Sequence, residues 1–134
     1  MEWYKDGMYP EWHLDGTNFS PKKLQSLFPE LILRNSKEKT DIATRGRLKG
    51  KEFGYGSTNI VVSNEIINKF DWLLDFILEN SSQVRELGIE EEIIWIYLYG
   101  IQGNMEMDKN LIRKLSMTEL NMVMNYIYID PVNE

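Results

Sequence analysis

The side chains of this chain best suited to chemistry are its carboxylates. Asp71, Asp75 and Glu79 recur at i, i+4 and i+8, which puts them on one face of a helix. Like charges so placed cost a helix about a few tenths of a kcal/mol per pair. Such a stripe can ligate a cation or attract a basic partner. No supporting carboxylate–histidine pair accompanies it, so a metal is not expected. It reads as a recognition stripe, or as an ordinary solvated helix face. Glu90, Glu91 and Glu92 form a second acidic group. The sole histidine, His13, alternates with Trp12 and Leu14 and should face away from them, as a solvent-facing or hydrogen-bonded strand residue. It has no serine or cysteine nucleophile near it. With zero cysteines, no Ser/His/Asp set and no carboxylate spacing that singles out an acid–base pair, no catalytic residue, metal or cofactor is expected, and the chain does not read as an enzyme.

A second kind of candidate lies directly after the glutamates. In Ile89–Gly103, IEEEIIWIYLYGIQG, side chains alternate as in a strand: Ile94, Ile96 and Leu98 on one side, Ile93, Trp95, Tyr97 and Tyr99 on the other. An edge strand would be polar on one side, so this strand should be central. The final segment alternates too, with Val123, Ile127 and Ile129 against Met122, Met124, Tyr126 and Tyr128. If the two strands align, Trp95, Tyr97, Tyr99, Tyr126 and Tyr128 share a face that needs a cover or a partner. Trp3, Tyr4 and Tyr9 could supply the cover.

The third candidate is basic. Arg34, Lys37, Lys39, Arg45, Arg47, Lys49 and Lys51 stand against Glu38 and Asp41, with Phe53 and Tyr55 close by. Such a segment could contact phosphate while the rings stack on bases, but GRLKG lacks the Gly-Lys-Ser/Thr ending of a phosphate loop. A solvated loop or exposed hairpin is the favoured reading.

The net charge of −6 argues against general nucleic-acid binding. Residues 1–60 carry ten Lys/Arg against eight Asp/Glu, two positive charges net; residues 61–134 carry five against thirteen, eight negative charges net. The acidic half suits a basic partner through long-range attraction, or serves solubility alone. No apolar run approaches the ~20 residues needed to cross a bilayer, and MEWYKDGMYP lacks a secretory layout, so a cytoplasmic location without membrane contact is expected.

At 134 residues a single domain spanning 1–134 is expected. Met8–Asp15 forms a first strand, which Pro10 should confine to an edge or to a strand start. Ser20 and Pro21 open a helix carrying Leu24, Leu27 and Phe28, stopped by Pro29. Leu31–Leu33 and Asn59–Val62 are strands. Ser63 caps the longest helix, with Ile66, Ile67, Phe70, Leu73, Leu74, Ile77 and Leu78 inward. Ser81 or Ser82 starts a further turn, QVREL, closed by Gly88. After a bend at Gly100 and Gly103 the chain continues as Asn104–Met107, and Asp108 caps a helix burying Leu111, Ile112 and Leu115.

The run Gln102-Gly103-Asn104-Met105-Glu106-Met107-Asp108, that helix, and a last strand reading Tyr126-x-Tyr128-x-Asp130 resemble the bacterial Domain of Unknown Function 4279 family. The upstream layout is similar: Phe19-Ser20-Pro21 at a helix start, a basic segment with Gly46, then a strand feeding a Leu- and Phe-rich helix. The likeness covers roughly residues 8–130 by pattern, and no single motif in it is diagnostic. Where family members carry a tryptophan at the third strand, this chain has Ser57-Thr58-Asn59, so no role for that tryptophan carries over. The resemblance implies a fold, no established enzymatic activity, and an association with bacterial conflict systems.

The element order predicts an α+β fold, a mainly antiparallel sheet with helices packed on one face. Ile94, Ile96, Leu98, Ile127 and Ile129 should meet the helix of 63–79. The functional expectation is a non-enzymatic, immunity-type protein that binds and neutralises a bacterial toxin. Asp71, Asp75, Glu79 and Glu90–Glu92 would attract a basic toxin domain and the aromatics would anchor it. The alternative is a small-ligand or peptide-binding module using the aromatic face.

Overall fold

The computed structural model describes residues 7–99 and 107–127. Their elements run β1 (Gly7–Gly16), α1 (Pro21–Leu27), β2 (Ile32–Lys37), β3 (Gly56–Val61), α2 (Lys69–Arg85), β4 (Glu91–Tyr99), α3 (Lys109–Thr118) and β5 (Met122–Ile127). The five strands form one sheet in the order β2-β3-β1-β4-β5. All neighbours are antiparallel except β4 and β5, which are parallel and joined across α3. The architecture is α+β.

The sheet's helix-side face is written in residue parity. Trp12 and Leu14 of β1, Ile60 of β3, and Ile94 and Ile96 of β4 are all fully buried. They join Leu24 of α1, Phe70, Leu73, Leu74, Ile77 and Val84 of α2, and Leu111 of α3 in one core. All three helices therefore lie on the same face. Trp12 donates its indole N–H to Glu92, which also takes two bonds from Arg85 at 2.6 and 3.1 Å.

Pro10 was expected at an edge or a strand start, yet it lies within the central strand, as its fourth residue counting from Gly7. The Asp15 carbonyl accepts the Glu90 N–H, so odd-numbered residues of β1 turn their backbone groups toward β4 and even-numbered ones toward β3. Pairing with β3 begins only at Glu11↔Val61. The missing N–H of Pro10 thus points past the end of β3 and costs no ladder bond.

The long helix also differs from expectation. It begins at Lys69, with Asn68 before it; Ser63 Oγ instead accepts the Glu65 N–H in a turn, and Ile67 is 92% exposed. The helix then runs without a break through Ser81 and Ser82, because Val84 falls seven residues after Ile77 and extends the buried stripe. No separate QVREL turn exists.

The remaining boundaries shift less. β2 reaches into the basic segment, with a register irregularity between Arg34 and Lys37 and Asn35 at φ +55°. The predicted strand at Asn104–Met107 lies outside the described residues except for Met107, which precedes α3. Asp108 caps α3, its carboxylate accepting the Leu111 N–H at 2.8 Å. Asp108→Ala should lower stability by about 1 kcal/mol, read as a reduced urea midpoint at unchanged slope.

Candidate functional site

The face opposite the helices carries the odd-numbered positions of β1, β3 and β4. Register places Glu11 beside Trp95 and Val61, His13 beside Asn59 and Ile93, and Arg34 beside Asn59. Among the described residues no helix lies on this face. Trp95, Tyr97 and Tyr99 are half-buried there.

A chain of polar contacts crosses β2, β1 and β3 on this face. Arg34 meets Glu11 at 2.6 Å, and the Glu11 side chain is only 6% exposed. The other Glu11 oxygen accepts from Asn59 Nδ2 at 2.9 Å. With its Nδ2 turned to that carboxylate, Asn59 presents its Oδ1 to His13 Nδ1, 2.7 Å away. His13 Nε2 lies 3.0 Å from Asp15. With both ring nitrogens engaged, His13 is placed to fix the face rather than to serve as a free base. The fully buried hydroxyl of Thr58, on the helix side, bonds Ser36 at 2.7 Å.

Aromatic rings stand beside this polar chain. Trp95 and Tyr97 are stacked, with centroids 6.3 Å apart and planes 16° apart. Tyr9 meets Tyr99 edge-on at 5.3 Å. Arg34 lies 5.7 Å from the Tyr97 ring centre, and Lys69 lies 5.8 Å from that of Tyr9, both within cation–π range. Burial, with Glu11 adding, pushes the Tyr97 phenol above its ordinary value of 10.0 against the opposing effect of Arg34. The sign follows: a folded-state value above the unfolded one favours the neutral phenol, so stability falls as pH rises through the unfolded value near 10. A titration followed at the phenolate absorbance band should show late ionisation at both Tyr97 and Tyr99, whose phenol burial also pushes up, and Tyr97→Phe should remove one of the two late steps.

Two cavities open beside the polar chain. One, about 460 Å³, has Trp95 and Tyr97 as one wall and His13, Asp15 and Asn59 among its polar lining. The other, about 340 Å³, lies at the end of β3 between Tyr9, Ile32, Arg34, Val61 and Tyr99.

The expected site residues are dispersed. Trp95, Tyr97 and Tyr99 are together, joined by Tyr9; Trp3 and Tyr4 lie outside the described residues. Tyr126 does not join them. The parallel register pairs Leu98 with Tyr126 and Trp95 with Val123, so Tyr126 stands on the helix side, 45% exposed. Ile127 pairs with Tyr99 rather than with a helix-side residue; Tyr128 and Ile129 lie outside the described residues. The expected alternation holds, with the faces exchanged, because strand parity alone leaves open which side turns inward.

The acidic residues divide likewise. Asp71 and Asp75 both hold Lys114 of α3, at 3.2 and 3.0 Å, while Glu79 is exposed. That clasp gives two members of the stripe a partner within the chain. Among the glutamates, Glu90 is held below the usual carboxylate range by the Thr17 side chain and then by the Thr17 backbone N–H, from which it accepts. Glu92 serves Arg85 and Trp12 on the helix side, and Glu91, opposite Asp15, remains exposed. The basic loop is ordered by its own backbone bonds, among them Ala43 N–H to Lys51 at 2.9 Å and Gly50 N–H to Ala43 at 2.8 Å. Among the described residues no group of three His, Asp or Glu side chains could hold a metal ion, and no helix is long and apolar enough to cross a membrane.

The chain matches no family model, no curated protein and no solved structure.

Glu11 and Asn59 were not among the expected site residues, and Arg34 was expected in the basic segment rather than beside Glu11. The alternation Glu11, His13, Asp15 against Trp12 and Leu14 signals a polar stripe. Arg34 and Asn59 reach it only through strand pairing, for which the local sequence holds no sign.

Proposed function

We propose that this protein is a non-enzymatic interaction protein of immunity type, which binds and neutralises a bacterial toxin through the helix-free face of its sheet. The observation that carries the reading is the aromatic row of Trp95, Tyr97, Tyr99 and Tyr9, set on a rigid sheet beside the Arg34–Glu11–Asn59–His13–Asp15 chain. Half-buried aromatics with polar tips, held in place, are the usual anchors of protein interfaces. Glu79 and Glu91, exposed, and the acidic balance of residues 61–134 favour approach of a basic partner. Asp71 and Asp75 contribute to that field even while bound to Lys114, since each stays about half exposed.

Mixing the purified protein with the product of the adjacent gene tests this reading. A stable complex and rescue of cells from that product are expected. No complex and no rescue would overturn it. A second reading, a small-ligand or peptide-binding module, is favoured by the cavity walled by Trp95 and Tyr97; a ligand co-purifying over Trp95 would support it.

A further inference from the structure

We propose that the cavity at the end of β3 is a binding site for a small organic carboxylate with an apolar body. The site is separate from the Trp95 cavity and does not depend on the toxin-binding reading.

The cavity follows from how the strands end. β3 pairs with β1 and β2 only as far as Val61, opposite Glu11 and Ile32. Pro10 has no N–H with which to extend that ladder, and the chain leaves through the turn at Ser63. A notch of about 340 Å³ remains, walled by Tyr9, Pro10, Ile32, Val61 and Tyr99. That volume is at the small end of ligand pockets, which run from about 300 to 1,000 Å³.

Its polar end is cationic. Arg34 lines it, and Arg34 Nε is a buried donor without a hydrogen-bond partner. The reason is visible in the network: one Glu11 oxygen takes the terminal guanidinium nitrogen and the other is occupied by Asn59. Glu11 thus grips the guanidinium through the terminal nitrogen alone, and neither of its oxygens is bonded to Nε. An unmade bond at a buried donor is costly. A carboxylate entering the notch, with a small turn of the guanidinium toward it, supplies the missing acceptor. Lys69, whose ammonium donates to the Ile66 carbonyl at 2.8 Å, lines the same cavity. Arg34 and Lys69 against Glu11 leave one positive charge in excess, which suits a monoanion. The apolar walls favour an anion with a hydrocarbon body over a bare inorganic one.

The test follows the Arg34 Nε–H resonance while 4-phenylbutyrate, its neutral amide, or inorganic phosphate is added. The carboxylate should shift that resonance saturably at millimolar concentration, the amide should bind about tenfold more weakly, and phosphate should not displace the carboxylate. Ile32→Trp fills the mouth at a position already 47% exposed and leaves the Arg34–Glu11 pair alone; it should abolish the shift without lowering the melting temperature. No saturable shift, equal binding of the amide, displacement by phosphate, or retained binding in Ile32→Trp would each overturn the proposal. None of these outcomes bears on complex formation with a toxin.

Discussion

Gly56→Ala should lose about 4 kcal/mol of stability or more, the range reserved for severe local disruption. A Cβ at this first residue of β3 would fall far inside van der Waals contact distance of the Phe19 carbonyl oxygen and 2.8 Å from its carbon. The obstacle is backbone, so no rotamer change can relieve it. Gly16, directly opposite Gly56 in the ladder, is pressed in the same way against the Gly88 carbonyl. The turn after β1 is thus clamped between β3 and the segment entering β4, and it aims Phe19 and α1 into the core. Since whole domains have about 5–15 kcal/mol in hand, Gly56→Ala should remove a large share of the stability and pull the denaturant midpoint far down. Gly46→Ala is the control. Its Cβ would meet nothing, and only its φ of +81° opposes a side chain, so a loss of about 1 kcal/mol is expected. Denaturant midpoints compare the two, and a wild-type midpoint for Gly56→Ala would contradict the close approach.

Arg34→Met should be the most damaging change on the helix-free face. It strands the Glu11 carboxylate, 6% exposed, with Asn59 as its remaining partner. Breaking a buried ion pair from one side costs about 3–5 kcal/mol. The lower end of that range applies here, because the Arg34 side chain is 40% exposed and solvent screens it. Adding Glu11→Gln to the variant should restore most of the loss, since a neutral amide is cheaper to bury and its oxygen can still accept from Asn59. If the double variant were no more stable than Arg34→Met, the damage would lie in lost packing against Tyr97 rather than in an unpaired charge.

The fold was legible in the sequence to the extent that burial has a period. Trp12 and Leu14, and Ile94, Ile96 and Leu98, declare their strands by alternation. Ser20-Pro21 and Asp108 mark helix starts through caps that the structure uses. The start of α2 was misplaced because Ser63 has a capping side chain and an apolar run behind it, yet it closes a turn instead. The place of Pro10 depended on where a neighbouring strand stops, which is a tertiary fact. So did the side on which Tyr126 emerges, fixed by the parallel register of β5 against Ile94–Tyr99.

The site was legible only in its aromatic half. Trp95, Tyr97 and Tyr99 are neighbours along one strand, so alternation alone groups them. Glu11, Asn59 and Arg34 come from three strands and meet through pairing. The acidic stripe shows the converse. Its spacing was read correctly, but Lys114 approaches Asp71 and Asp75 from another helix, and no local pattern announces that contact.

Binding of the partner by the helix-free sheet face is read from the affinity of Trp95→Ala for the adjacent gene's product. A loss of about thirtyfold or more, the effect of truncating an interface anchor, is expected with an unchanged circular dichroism spectrum. A dissociation constant equal to that of the unaltered protein would contradict the claim.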